Sequence, residues 1–241
     1  MNAENIARLQ KMIDQSSSIV FLGGAGVSTE SGIPDYRSVN GLYYQKFKYP
    51  PEVMLSRSFF ESNTEEFFEF YRNKMICLEA RPNPAHKKLA MLEQNGKLKA
   101  VITQNIDGLH QGAGSKNVLE LHGSVHRNYC MRCKKFFDAK FILETDGIPR
   151  CDCGGIVKPD VVLYEEQLNP DIMSDAINSI INADMMIVGG TSLAVYPAAG
   201  MVNYFGGENI VVINKSETHF DSKARLVIND SIGEVLDAIT V

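Results

Sequence analysis

Tryptophan is absent from this 241-residue chain. Also absent is any apolar run near the roughly 18 residues that a membrane span requires. There is no basic excess: 24 Lys and Arg face 29 Asp and Glu, a net charge of −5. Non-specific binding to nucleic acid or anionic lipid needs a basic field, so neither partner is expected. Repeats and low-complexity tracts are missing. Apolar residues at 44% and charged residues at 22% exclude a disordered or collagen-like chain. Met1 to Ser17 carries Glu4, Arg8, Lys11 and Asp14 on a helix-like pattern, with neither an apolar core nor a small-residue cleavage site. A secretory signal is therefore not expected, and the cytoplasm is the expected compartment.

What is present is an alternation of short apolar runs and helical patterns. Ser18–Leu22, Leu98–Thr103, Met185–Gly189, Asn209–Ile213 and Leu226–Ile228 read as strands. The first is nearly all apolar, as suits a strand buried on both faces of a parallel sheet. Ile6, Leu9, Met12 and Ile13 share one face of a helix over 4–15. Asn83-Pro84 starts a helix ending near 94, Pro170 one ending near 182, and Pro197 one ending near 205. Asp230 is expected to cap a last helix over 231–239. Strand–helix alternation of this kind makes a doubly wound parallel sheet. Two stretches break the rhythm. Residues 39–82 are rich in Phe, Tyr and Glu, with a helix expected from Thr64 to about Leu78, and 125–158 hold most of the cysteines among many charges. Both read as insertions forming a smaller lobe over the ligand edge of the sheet.

The first strand runs into Gly24-Ala25-Gly26-Val27-Ser28-Thr29. Glycines there permit a tight turn and close approach of a pyrophosphate to backbone N–H groups, and Ser28 and Thr29 are placed to cap a helix behind it. The third glycine of the usual dinucleotide fingerprint is replaced by Thr29, and no acidic residue ends a second strand about 20 positions on, which disfavours an ordinary hydride-transferring dehydrogenase. Asp35, Tyr36 and Arg37 follow as a surface turn or as a flap over a nucleotide. At the end of the 98–103 strand, Gln104, Asn105, Ile106 and Asp107 place polar groups where a doubly wound sheet binds ligands; the bland alternative is a self-capped turn. His122, beside Gly123, has the ordinary imidazole pKa that suits a general base. His86 and His219 read as non-catalytic, while His110 and His126 are ambiguous on spacing.

Of five cysteines, Cys130, Cys133, Cys151 and Cys153 fall within 24 positions, as C-x2-C, 17 residues, then C-x-C. In a reducing compartment such pairs read as a tetrahedral zinc site, and four thiolates leave no open position for water, so the zinc is structural. Arg132, Lys134, Lys135, Arg150 and Lys158 are candidates to offset its negative charge. Cys77 is expected to be a buried apolar residue of the insertion helix.

Taken in order, these motifs resemble the sirtuins, the NAD-dependent protein deacylases, and most of all the bacterial members. The landmarks are Gly24–Ser28, Gly32–Arg37, Gln104–Asp107, Leu121-His122-Gly123, the cysteine pairs, Pro159-Asp160-Val161-Val162, Gly190-Thr191-Ser192 and Asn214-Lys215, running over nearly the whole chain. The resemblance implies a Rossmann-like NAD-binding domain from residues 1–38, 83–124 and 159–241, a helical insertion at 39–82 and a zinc-binding module at 125–158. It also implies one structural Zn²⁺ and NAD as co-substrate. The expected NAD contacts are Gly24, Ala25, Gly26, Ser28, Thr29, Asp35, Tyr36, Arg37, Gln104, Asn105, Ile106, Asp107, His122, Gly190, Thr191, Ser192, Asn214, Lys215 and Ile232, with Thr191, Ser192, Asn214 and Ile232 on the adenosine side. Acetyl-lysine proteins or peptides are the expected partners, held by Val161, Val162, Leu163 and Tyr164 and by Val195 through strand addition. In the implied reaction the acyl oxygen attacks ribose C1′ as nicotinamide leaves. His122 is then the general base, with Asn105 the second catalytic residue.

Three departures stand out: the C-x-C pair, Glu165 where the family commonly has Gly, and Phe70-Tyr71-Arg72-Asn73-Lys74, where desuccinylating relatives carry Tyr-x-x-Arg. Lysine lacks the bidentate fork for a carboxylate, so neutral acyl groups, acetyl first, are expected. A mono-ADP-ribosyltransferase on the same NAD site and a non-enzymatic zinc-ribbon interaction module are the competing readings.

Overall fold

The computed structural model describes residues 2–38 and 41–241; the first two positions of the 39–82 insertion lie outside the described residues. Nine strands are described in chain order: β1 (Ile19–Gly23), β2 (Leu98–Thr103), β3 (Val118–Glu120), β4 (Gly123–Cys130), β5 (Phe136–Phe137), β6 (Val157–Val161), β7 (Met185–Gly189), β8 (Ile210–Ile213) and β9 (Leu226–Ile228). The helices are α1 (Ala3–Gln15), α2 (Pro51–Met54), α3 (Arg57–Ser62), α4 (Thr64–Lys74), α5 (Pro84–Gln94), α6 (Leu109–Gly112), α7 (Ala139–Glu144), α8 (Pro170–Ile181) and α9 (Ile232–Asp237).

Six strands form a parallel sheet in the order β3-β2-β1-β7-β8-β9. The order explains why β1 is apolar throughout. It lies at the centre, with Ile19 and Phe21 buried in one core and Val20 and Leu22 in the other. The first core is closed by Leu9 and Ile13 of α1, Leu89 of α5 and Val235 of α9. The second is closed by Ala176 and Ile180 of α8 and by Met201 and Val202. Burying a Leu, Ile or Val side chain contributes about 1.5–3 kcal/mol, so these two faces supply most of the driving force. The chain builds outward from β1 through β2 to β3, then crosses to β7 on the other side. The C-terminal ends of β1, β2 and β7 therefore flank the switch point where doubly wound sheets bind ligands.

The second sheet is antiparallel, in the order β5-β4-β6. Its core is shared with the helical insertion: Phe59, Phe60, Phe67, Phe68 and Tyr71 pack in one cluster with Cys130, Cys151, Ile142 and Val157. Phe60 and Phe67 meet edge to face at 5.1 Å, a geometry that adds to plain area burial.

Several local expectations change. Helix α4 stops at Lys74 rather than near residue 78, after a last turn that carries Arg72 and Lys74. Cys77 therefore lies beyond the helix and is exposed, not a buried apolar residue. Residues 198–204 form 3-10 turns rather than an α-helix, with Gly200 and Asn203, both poor helix formers, inside them. Ser231, not Asp230, occupies the cap position of α9, and the Asp230 carboxylate accepts the Ser231 N–H instead. The three-residue β3 has too short a pattern to be read in sequence, and β4 and β5 were masked by charge.

Candidate active site

The glycine turn after β1 does not lead into an α-helix. It forms two short 3-10 turns, Ala25–Val27 and Thr29–Ser31. Ser28 and Thr29 do not cap a helix, because their side chains are spent elsewhere. Ser28 Oγ donates to Asp107 Oδ2 at 2.6 Å and accepts from Asn105 Nδ2 at 3.0 Å, while Thr29 Oγ1 donates to the Gly26 carbonyl at 3.0 Å. Glycine is required at 26 because a Cβ there would lie 2.8 Å from the Gly190 backbone, and Gly26 N donates to Gly190 O at 2.8 Å. The loops after β1 and β7 are thus laced together. Gln104 Nε2 joins them to the end of β2 through Thr191 Oγ1 at 3.1 Å.

Asn105 and Ser28 are buried, so their polar atoms need fixed partners. Thr103 Oγ1 accepts the Asn105 N–H at 3.0 Å, and Asp107 Oδ1 accepts the Leu109 N–H at 2.9 Å. His126 Nε2 reaches the Asp107 carbonyl at 2.9 Å. The polar groups at the strand end form a rigid network with one face toward the crevice.

His122 sits in the two-residue link between β3 of the large sheet and β4 of the small one. Its Nδ1 lies 3.0 Å from the Gln104 carbonyl. A carbonyl only accepts, so Nδ1 carries the proton and Nε2 keeps a free lone pair. Burial pushes the His122 pKa below the ordinary 6.5, opposed by the bond to Gln104. The ring is therefore a neutral base at physiological pH. The link is tight: Gly123 has φ +76°, and a Cβ there would overlap the Asp160 carbonyl.

Across the crevice, Val162 N donates to His122 O at 3.0 Å, and Tyr164 pairs with Ser56 in a parallel bridge. Asp35 Oδ1 accepts the N–H groups of Arg37 and Ser38, which folds the 35–38 turn toward the crevice. The Arg37 guanidinium lies over the Tyr43 ring at 5.3 Å, and the Tyr43 and Tyr164 hydroxyls meet at 2.7 Å. Glu165 has φ +74°, the left-handed backbone that favours glycine, and its carboxylate accepts from Ser58 N and Oγ.

A single cavity of about 890 Å³ joins these parts. It is lined by Gly24, Ala25, Gly26, Ser28 and Thr29, by Asp35, Tyr36 and Arg37, and by Gln104, Asn105, Ile106, Asp107 and His122. It is also lined by Gly190, Thr191, Ser192, Asn214, Lys215 and Ile232 and by Val161, Val162, Leu163, Tyr164 and Val195. The structure therefore brings together every crevice residue singled out in the sequence. It adds Tyr43, Leu55, Lys74 and Met75 from the helical insertion, and Leu168. No periodicity in 39–82 marks which of its apolar residues face the crevice rather than the small-lobe core. The volume lies at the large end of the ~300–1,000 Å³ range of small-molecule sites, as a dinucleotide with a peptide side chain demands.

The four clustered cysteines lie apart from this cavity. Their Sγ atoms all fall within 4.8 Å of one another, with Cys130–Cys153 at 3.4 Å and Cys133–Cys151 at 3.5 Å. Four thiolates at such separations suit a tetrahedral zinc ion bound at about 2.3 Å. Lys135 pairs with Asp152 at 2.7 Å and Arg132 reaches the Cys153 carbonyl. Lys158 turns away, donating to Glu166 and to the Pro159 and Val161 carbonyls, so it steadies the end of β6 rather than the cysteines.

The Sir2 family model matches residues 24–197. The chain belongs to the Sir2 family. Curated NAD-dependent protein deacetylases of Clostridium acetobutylicum and Clostridium tetani are similar to this sirtuin. They are 62% identical over 98% of both chains, and 63% identical over 96% of this chain and 95% of the other. A solved Sir2 structure with deacetylated p53 peptide and 3′-O-acetyl ADP ribose superposes with a TM-score of 0.89 at 41% identity, covering 97% of this chain and 96% of that one. A Sir2 complex with p53 peptide and NAD⁺ gives a TM-score of 0.85 at 41% identity, with 96% and 95% covered. Among the described residues of this sirtuin, no helix is long and apolar enough to cross a membrane.

Proposed function

We propose that this chain is an NAD-dependent protein lysine deacetylase. It removes acetyl from lysine and yields nicotinamide, O-acetyl-ADP-ribose and free lysine. The observation that carries this reading is the convergence of the His122 ring, the Ser28–Asn105–Asp107 network and the 161–164 segment on one cavity. Curated deacetylases over nearly the full chain, and relatives solved with peptide and acetyl-ADP-ribose, support it.

NAD supplies a glycosidic carbon with a neutral leaving group, and a ribose hydroxyl that takes up the acetyl group. The chain supplies position and one base. The 24–28 turn, where glycine lets a ligand approach the backbone closely, takes the pyrophosphate, with Thr29 and the 35–37 turn closing over it. Asn105, Ile106 and Asp107 hold the nicotinamide end, and Gln104 fixes their strand end to Thr191. Gly190, Thr191, Ser192, Asn214, Lys215 and Ile232 take the adenosine end. The substrate backbone lies between Val161–Tyr164 and Val195 as an added strand, which aims its acetyl oxygen at C1′. His122 Nε2 then accepts the proton of the ribose hydroxyl that attacks the transferred acetyl carbon.

The reaction is both an acyl transfer to ADP-ribose and a net hydrolysis, so transferase and hydrolase describe its two halves. Cys130, Cys133, Cys151 and Cys153 hold one zinc ion; a closed thiolate shell contributes folding energy and no catalytic water. The chain divides into the discontinuous NAD-binding domain, the helical insertion and the zinc-binding module at the boundaries given above. A reduced thiolate zinc site fits a cytoplasmic location.

The test is an acetyl-lysine peptide incubated with and without NAD and followed by mass spectrometry. NAD-dependent loss of acetyl with O-acetyl-ADP-ribose formation is expected. His122→Ala should lower turnover by at least about 10²-fold, the loss typical of a general base. An ADP-ribosylated protein in place of deacetylation would favour the transferase, and unchanged turnover in His122→Ala would remove the ring from the mechanism.

A further inference from the structure

Pairing between β4 and β6 is interrupted. Gly123 pairs with Val161 and Ser124 with Asp160, then the register slips and resumes only at Asn128 with Pro159. Proline has no N–H for the ladder, and a bulge re-aims side chains. Arg127 sits in the slipped segment. Its Nη1 donates to Glu120 Oε2 at 2.7 Å and its Nε to Asp160 Oδ2 at 2.8 Å. Glu120 is the last residue of β3 and its side chain is 9% exposed, with Oε1 accepting from Gln111 Nε2 at 2.9 Å. One guanidinium thus spans the large sheet and the substrate strand.

The two carboxylates are placed with respect to the chemistry. Glu120 lies two residues before His122, and Asp160 two residues before Val162. His122 O and Val162 N are the two ends of the 3.0 Å hydrogen bond that joins the general base to the peptide-holding segment. We infer that Arg127 is a positioning residue for deacetylation: its two-carboxylate clamp sets the His122 backbone against the 161–164 segment, and so sets the base against the bound acetyl-lysine. This rests on the deacetylase reading above. A planar fork can serve two carboxylates at once, whereas an ammonium cannot hold both with the same geometry.

The reaction offers a readout that a purely structural role would not move. Nicotinamide departs before His122 acts, so exchange of labelled nicotinamide into NAD in the presence of acetyl peptide reports the first step alone. Arg127→Ala and Arg127→Lys, each checked for folding by thermal melting, are compared with wild type in exchange and in deacetylation. Deacetylation kcat should fall about 10-fold or more in Arg127→Ala, as small misplacements of a reacting group do. Exchange, which needs the acetyl oxygen placed against C1′ but not the base, should fall less than deacetylation, and Arg127→Lys should recover only part of the loss. Independently of activity, hydrogen exchange at the Val162 amide should quicken in Arg127→Ala. Equal falls in exchange and deacetylation, full recovery by lysine, or unaltered Val162 protection would each overturn the assignment. Absence of NAD-dependent deacetylation in wild type would instead refute the functional reading, and the Val162 amide would still decide the clamp.

Discussion

Acidification provides a quantitative test of how the ligand edge is built, because two buried histidines lie directly behind it. His86 on α5 and His110 on α6 are 0% and 1% exposed, with ring centroids 4.7 Å apart. His86 Nδ1 accepts the Asn83 N–H in a capping box, which a protonated ring cannot do. Among the described residues neither His110 nitrogen has a hydrogen-bond partner, and the ring tilts against Phe21 at 6.1 Å. Burial, then the neighbouring His86, pushes His110 down to about 3; burial moves His86 the same way, only partly opposed by Asp107. Well above pH 6.5 both rings are neutral in folded and unfolded chains and stability does not depend on them. Below it the unfolded chain binds protons that the folded chain refuses, so stability falls with pH. Between pH 7 and 5 this costs about 1.9 kcal/mol per ring, about 4 kcal/mol for the pair. His122, also lowered by burial, adds to the fall in the same window, whereas the lowered carboxylates Glu166 and Asp184 act mainly below about pH 4.5. Urea unfolding at pH 7, 6 and 5 measures the slope, and His110→Phe, which keeps a ring against Phe21, should remove about half of the pair's share. A wild-type stability flat from pH 7 to 5, or an identical slope in His110→Phe, would refute the reasoning.

His122 is lowered by burial, so the acid limb of kcat/KM for deacetylation should have its midpoint below pH 6.5 in a pH–rate profile; a midpoint at or above 6.5 contradicts the geometry. Verified removal of zinc should lower the melting temperature and expose residues 125–158 to protease, because Cys130 and Cys151 are part of the small-lobe core; an unchanged melting curve counts against it. Acetyl-lysine peptide should show a higher kcat/KM than succinyl-lysine peptide, since Lys74 Nζ is already engaged by Gln45 at 3.1 Å and carries no fork. The reverse order of kcat/KM would overturn that preference.

The parallel sheet was legible because β1, β7 and β8 are buried on both faces and read as unbroken apolar runs, and β2 departs from that only at exposed Lys99 and at Thr103. The small sheet was not. Strand β4 mixes His126, Arg127 and Asn128 into its span and shows no strand period, while β6 alternates but carries Pro159, which argues against a paired strand. The crevice residues were legible for a different reason: glycines and polar groups at strand ends are costly unless something uses them, and they stood out one motif at a time. The roles of Ser28 and Thr29 were misjudged because a helix cap and a tertiary hydrogen bond need the same residue types. Only the fold shows that Asp107, 79 positions away, claims the Ser28 hydroxyl. Arg127 gave no signal at all, since a surface arginine and a two-carboxylate clamp look alike until the bulge in β4 aims one of them inward.

That the proposed general base stands in a two-residue link between sheets has a physical logic. The large sheet ends in fixed dipoles and glycine turns, which suit a dinucleotide. The small sheet presents the 161–164 segment, which suits an extended peptide. A residue belonging wholly to either sheet would keep its distance to one substrate and lose it to the other. His122 takes its ring orientation from Gln104 at the end of β2 and its backbone position from Val162 beside β6. Its place is therefore fixed by both halves at once. The ring can act only when those halves hold their own ligands at the correct separation. Loss of the device that maintains that separation should therefore slow turnover, though by less than loss of the imidazole itself.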